Sequence, residues 1–287
     1  MQPRFEQFIR ERQILHSVTA STVEWYRRCL KWLPSEMPTQ ADLKDVVLHL
    51  REHELTEAGC NTVIRCVNAY LHWAAQSASG AERKCGAGCT HPHIARLREP
   101  KQVMPTFSEA QIKKLLAWKP KSKGNRRLHL VILTMLDTGC RISEALTLRV
   151  ADVDFDNLLL KLDGKGRKQR LVPISGELRK ALYRHIAESQ LVPLDLVFAT
   201  CTGTLWSRRN VLRGVKRVCH SMGFEPPART VHAFRHTFAV NYLRRGGSVF
   251  HLQKTLGHTT LEMSRRYSNL DTSDLQAAHQ RISLLAK

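Results

Sequence analysis

Residues 157–175 abandon the three- and four-residue spacing of apolar side chains that runs through most of this sequence. LLLKL, a DGKG turn and KQRLVPI instead read with a period of two, which predicts a β-hairpin closed by a glycine-rich turn. Helices flank it. Ser108-Glu-Ala-Gln111 is a capping box that opens a helix carrying Ile112, Leu115 and Leu116. A strongly apolar helix follows over about 128–136. After Thr138-Gly139, Ile142, Ala145, Leu146 and Leu148 suit another, and the chain beyond the hairpin is expected to be helical throughout. Helices around so small a sheet make this half of the chain mixed α and β.

The first eighty residues read as helices only. Phe5 and Ile9 lie four apart, and Ser21-Thr-Val-Glu24 is a capping box for a helix that ends before Pro34. Thr39 caps a third helix with Val46, Val47 and Leu50. A fourth, about 57–75, carries Val63, Val67, Tyr70, Leu71 and Trp73. Regular spacing then gives way to Gly, Pro, Cys and His between Ser77 and Pro105. The resulting division is a helical domain over 1–83, a linker over 84–106 and a second domain over 107–287, with no internal repeat.

Charge narrows the partner. In 287 residues, 45 Lys and Arg face 25 Asp and Glu, a net +20. An excess of that size is the electrostatic footprint of a nucleic-acid binder, whose affinity comes largely from displaced counterions. The cations on the polar faces of the first four helices suit a clamp on a phosphate backbone, and taken alone they suit a solvated helical bundle equally well. A membrane-surface role is disfavoured: there is no acylation motif, no apolar span of 18 residues and no basic amphipathic anchor at a terminus. The N-terminal MQPRFEQFIRERQ has no apolar signal-peptide core, so a cytoplasmic, nucleoid-associated protein is expected. The 8 cysteines then read mostly as reduced, buried residues.

Several residues stand out chemically. Arg141 opens the predicted helix of DTGCRISEAL, where a cation opposes the helix dipole unless an anion lies against both; an ordinary pair with Glu144 one turn on explains it equally well. His232 and Arg235 lie three apart in HAFRHTFAVNYL and share a face. Lys165 sits at the hairpin tip, a place where Lys and Gly also occur for plain turn reasons. Gly257 ends the helix VFHLQKTL, His258 follows, and Thr259-Thr-Leu-Glu262 is a capping box for a helix expected to carry Tyr267. A phenol with its ordinary pKa of about 10 is a poor nucleophile, so a functional Tyr267 needs cations around it.

The stretches TGCRISEALTL, GKGRKQRLVPI, HAFRHTFA and GGSVFHLQKTLGHTTLEMSRRY resemble, in order, the motifs of the tyrosine recombinase (phage integrase) family, and most closely its compact Xer-like members. The resemblance is strong over roughly 105–270 and weaker before. It implies a helical core-DNA-binding domain joined to a mixed α/β catalytic domain, together forming a clamp around DNA. By the same resemblance Arg141 and Arg235 clamp the scissile phosphate and Lys165 is the general acid. His232 and His258 support, Glu144 steadies its neighbours, and Tyr267 is the nucleophile. The implied activity cleaves and religates DNA through a 3′-phosphotyrosyl ester, via a Holliday junction, as in integration or excision of mobile elements. It calls for no cofactor. The implied partners are duplex DNA with short core sites, a homotetramer on paired sites, and a partner recombinase or directionality factor. Related readings are DNA relaxation of the type IB topoisomerase kind and a DNA-binding protein without catalysis.

Some features depart from the family pattern. Ser264 replaces a usual threonine and Asn269 a common histidine, and neither is expected to touch the chemistry. Cys85, Cys89, His91 and His93 form C-x3-C-x-H-x-H, a candidate zinc cluster whose crowding strains a tetrahedral site; otherwise no metal is expected. No arm-binding domain is expected ahead of the helical part, and action on core sites alone is expected. Leu275, Ala278, Ile282 and Leu285 predict a C-terminal helix over 273–286 with one apolar face, expected to dock on a neighbouring protomer.

Overall fold

The computed structural model describes residues 2–79, 92–100, 104–164, 169–265 and 267. The chain divides into two compact units, Met1–Gln102 and Val103–Lys287.

In the first unit, α1 (Pro3–Leu15), α2 (Ala20–Leu30), α3 (Gln40–Glu52) and α4 (Glu57–Ser79) enclose a core in which Phe8, Ile9, Leu30, Leu43, Leu50, Ile64 and Tyr70 are fully buried. Aromatic edges meet faces at its centre, with Phe5 and Tyr70 4.8 Å apart and Phe8 and Tyr26 5.1 Å apart. Thr39 caps α3 as expected, and Asp42 completes a reciprocal capping box with it. The box expected at Ser21 does not. Helix α2 starts at Ala20, one residue before it, so Ser21 lies inside the first turn, and the Thr19 hydroxyl bonds the Ser21 and Thr22 hydroxyls instead.

Part of the predicted linker is tied down. Asn68 exchanges two hydrogen bonds with the backbone of Ile94, at 2.8 and 2.9 Å, and Asn61 exchanges two with Leu97, both 2.8 Å. The spacing explains the match. Seven residues of helix rise about 10.5 Å, and three residues of extended chain span about 10 Å. Gln40 makes the same paired contact with His93, so the one described member of the zinc candidate is held through its backbone. Cys85, Cys89 and His91 lie outside the described residues.

The second unit opens with α5 (Glu109–Ala117), whose Ser108–Gln111 capping box forms, and α6 (Lys123–Thr138), which begins at a Ser122 cap ahead of the predicted apolar stretch. Gly139 ends α6 at φ 63°, and a side chain there would meet Phe238 2.4 Å from its Cβ, so α6 and α10 approach through this glycine. After α7 (Ile142–Leu146), the strands β1 (Val153–Asp154), β2 (Leu159–Asp163) and β3 (Gln169–Pro173) form one antiparallel sheet in that order. The hairpin is therefore joined by a third strand, too short to leave a periodic signal. Leu160 faces Val172 in register and both are buried.

Helices α8 (Gly176–Glu188), α9 (Arg208–Ser221), α10 (Thr230–Arg244), α11 (Val249–Leu256) and α12 (Leu261–Arg265) complete the unit. The expectation of helices throughout fails at 189–207, an irregular segment whose Leu196 bridges to Arg149 and whose Phe198 is fully buried. Leu130, Val131, Ile132 and Met135 of α6 pack in the core with Leu160, Val172, Val215 and Phe234. Phe107 stacks on Phe234 at 4.5 Å. Cys29, Cys60, Cys66, Cys140 and Cys219 are buried free thiols and Cys201 is an exposed one. No helix among the described residues is long and apolar enough to cross a membrane. The predicted helix over 273–286 lies outside the described residues, as does Asn269.

Candidate active site

Arg141 is the N-cap of α7, in extended backbone, and Glu144 completes a reciprocal cap by accepting the Arg141 main-chain N–H at 2.8 Å. The same carboxylate accepts the Arg141 guanidinium at 2.8 Å. The predicted pair thus exists, but it is only half of Glu144's environment. Arg170 of β3 donates to both carboxylate oxygens, at 3.0 and 2.7 Å, in the forked geometry that guanidinium and carboxylate share. Arg170 also donates to the Thr255 carbonyl of α11 at 2.8 Å. Burial by itself raises the Glu144 carboxyl, but the hydrogen bonds from Arg170 and Arg141 outweigh it and hold the group below its ordinary range.

Arg235 is 5% exposed on α10. Its guanidinium donates to the Gly139 carbonyl at 2.9 Å and to the Leu256 carbonyl at 2.6 Å. Those carbonyls close the ends of α6 and α11, where unpaired main-chain oxygens and the negative ends of helix dipoles favour a cation. Burial, then the neighbouring Arg141, lowers Arg235 to about 10, so it remains charged near neutrality.

His232 lies three residues earlier on the same helix and is exposed over much of its surface. The part that is covered, and then Arg208, Arg229, Arg235 and Arg141, hold its imidazole below the usual value. Arg229, the residue before α10, takes up a left-handed conformation at φ 55°.

Gly257 caps α11 at φ 64°, and its bare Cα lets Arg170 approach, since a Cβ would lie 3.1 Å from the arginine Cδ. His258 follows, its Nδ1 2.8 Å from the fully buried Ser264 hydroxyl. Ser264, expected to stand apart from the chemistry, is thus a direct hydrogen-bond partner of His258. The capping box expected over 259–262 does not set the next helix: α12 starts at Leu261, and the Thr259 hydroxyl bonds the Met263 sulfur at 3.7 Å. Tyr267 is likewise not on α12. It lies in a turn beyond Arg265, with its N–H on the Ser264 carbonyl at 3.1 Å, and is 6% exposed. Its ring runs nearly parallel to that of His258, centroids 6.1 Å apart, and its hydroxyl is 2.9 Å from His236 Nδ1. Burial first, then surrounding cations, lowers both His236 and His258 to about 4, so both imidazoles are neutral near pH 7.

Of the predicted site residues, Arg141, Glu144, Arg235, His258 and Tyr267 converge, and His232 lies close enough to feel both Arg141 and Arg235. Lys165 lies outside the described residues. Two members were missed. Arg170 shares the inward face of β3 with buried Val172, and a charged residue in a core-facing register is a readable signal. His236 follows His232 by four residues, one helical turn, with an arginine between them. Arg141, Arg170 and Arg235 set three guanidiniums against the one carboxylate of Glu144. Such a partly buried excess of positive charge suits an anion such as a phosphate.

The phage integrase family model matches residues 105–274, more than half of the chain. Tyrosine recombinase XerA of Thermococcus kodakarensis is 27% identical over 268 residues, covering 92% of this chain and 88% of that one. Tyrosine recombinase XerC of Mesorhizobium japonicum is 35% identical over 158 residues, 52% of this chain and 50% of the other. Among solved structures, the Tn1549 transposon integrase in complex with transposon right end DNA shares the fold at TM-score 0.77 and 19% identity, covering 98% of this chain and 99% of that one. XerH site-specific recombinase bound to difH substrate does so at 0.71 and 18%, covering 96% and 82%. The chain belongs to the phage integrase family, the tyrosine recombinases.

Proposed function

We propose that this protein is a site-specific DNA recombinase that breaks and rejoins strands through a covalent ester between Tyr267 and a DNA 3′-phosphate. The observation that carries the reading is the placement of the Tyr267 phenol beside His258 and Arg235, within a cluster rich in guanidinium groups. In this mechanism the phenol oxygen attacks phosphorus and negative charge builds on the non-bridging oxygens. Arg141 and Arg235 stabilise that charge, and His232 and His258 add imidazole donors. Stabilising developing charge in this way is usually what accelerates such reactions most. Glu144 and Arg170 hold Arg141 in place. Lys165, which follows β2 in the sequence, protonates the departing 5′ oxygen. The ester conserves the bond energy, so a second 5′-hydroxyl can reverse the step on a partner strand without a nucleotide cofactor.

The partner is duplex DNA carrying short core sites, which the basic composition and the DNA-bound relatives support. The helical residues 1–83 grip the core site, 84–106 connect, and 107–287 carry the chemistry. Four protomers exchange strands through a Holliday junction, in the cytoplasm where such DNA lies, with the 273–286 helix passing between protomers.

The test uses a core-site duplex with a sulfur in the bridging 5′ position, which traps the cleaved state. Wild-type protein should form a covalent complex whose peptide maps to Tyr267, while Tyr267→Phe should bind with similar affinity and form none. A Tyr267→Phe protein that still becomes joined to DNA overturns the reading.

A further inference from the structure

We propose that His236 is a further catalytic residue of this chain: its imidazole holds the Tyr267 phenol and takes the phenol's proton as the oxygen attacks phosphorus. The inference rests on the reading of Tyr267 as the nucleophile.

The need for a base follows from burial. A phenol titrates near 10, so only about one in a thousand is ionised at neutral pH. With Tyr267 6% exposed, bulk water has little access to carry the proton away. The acceptor has to come from the protein.

The geometry sorts the candidates. Glu144 is engaged by four donors from Arg141 and Arg170. His258 has its Nδ1 on Ser264 and lies face to face with the tyrosine ring, 11° from parallel, rather than edge-on to its hydroxyl. Exposed His232 lies one turn further back on α10. His236 presents Nδ1 to the phenol oxygen at 2.9 Å, with the two rings tilted by 43°. That distance is hydrogen-bond reach for a general base.

The surroundings set its working state. Burial, then His232, Arg235 and Arg229, keep the His236 imidazole neutral and able to accept. The groups around it are His232 and Arg235 on its own helix, Arg229 before that helix, His258 after α11, and Tyr267 itself. A DNA phosphate arriving among Arg141 and Arg235 offsets the cations that depress His236, so its proton affinity rises when substrate is in place. The step balances. The Tyr267 Oη–P bond forms, the P–O5′ bond breaks, the phenol proton moves to His236 Nδ1, and the leaving O5′ gains a proton from Lys165. On religation His236 returns the proton to the departing phenolate.

The experiment follows single-turnover formation of the covalent complex on a duplex with a 5′-bridging sulfur, which needs no acid and so removes Lys165 from the rate. His236→Asn keeps a polar atom near the Nδ1 position but is not a base. It should bind DNA like wild type and react about 100-fold or more slowly at pH 7, the usual scale of general-base catalysis. The deficit should narrow as pH rises and the phenol ionises unaided. His236→Ala should be slow as well and regain rate in added imidazole, which a packing role does not predict. A wild-type rate for His236→Asn, or a deficit constant across pH with no imidazole rescue of His236→Ala, overturns the proposal and leaves the Tyr267 reading standing. Covalent complex formation by Tyr267→Phe removes both.

Discussion

The two units bury different things. The interior of the first is apolar and aromatic; the Asn61 amide and the Tyr70 hydroxyl that it takes in meet main-chain or side-chain partners, while Gln2 Oε1, Arg12 Nε and Trp25 Nε1 are buried without one. The second unit has an equally apolar core around α6 and α10 but places Glu144 and Arg235 at 4% and 5% exposure beside it. Burying charge is unfavourable unless geometry and hydrogen bonds compensate, and apolar packing of the same volume commonly gives equal or greater stability. The first unit is thus organised by stability. The second gives up part of its stability to hold positive charge where an anion has to be received.

The sharpest way to break this contrast is Glu144→Ala. Removing the carboxylate strands Arg170 and Arg141 together, and loss of one partner of a buried pair costs about 3–5 kcal/mol. The urea midpoint should fall accordingly, and covalent complex formation should fall with it because Arg141 loses its anchor. A stability change near zero means the network is not a buried charge system at all.

Acid should divide the two regions next. His236 and His258 titrate at about 4 in the folded protein against about 6.5 for a free imidazole. Their folded values are depressed, so the unfolded chain takes up protons first and the folded state loses stability as pH falls from about 6.5 towards 4. Glu144, also depressed, adds to the loss at the acid end. Hydrogen exchange over that range should show amide protection falling more in α10 and α11 than in α1–α4. Equal loss in both regions contradicts the contrast. The smallest effect is expected from Tyr70→Phe, which removes the 2.7 Å bond to the Glu36 carbonyl at about 1 kcal/mol. The cleavage rate should stay unchanged.

What was legible in the sequence was what short-range chemistry decides. The cap at Thr39, the capping box at Ser108 and the glycine end at Gly257 depend on neighbours within a few residues. So does the hairpin, whose alternation is local. The Ser21 box failed in competition with a start one residue before it, at Ala20. Tyr267 is expected on the helix opened by the Thr259 box, whereas that helix spans only Leu261–Arg265 and Tyr267 lies in a turn. Strand β1 is two residues long and carries no period. The missed site residues share another cause. Arg170 meets Glu144 across 26 positions and Thr255 across 85, and His236 meets Tyr267 across 31, so only the folded chain reveals those partners.

Arg235 is fastened by the carbonyls of Gly139 and Leu256, groups that every amino acid carries. No codon change at either position deletes them. Descendants of this gene can therefore drift at position 256, wherever another side chain fits, without loosening the arginine. Position 139 lacks that liberty because its bare Cα is required. The anchor is inherited as a backbone shape, and short of unfolding its surroundings a lineage loses it chiefly by mutating Arg235 itself.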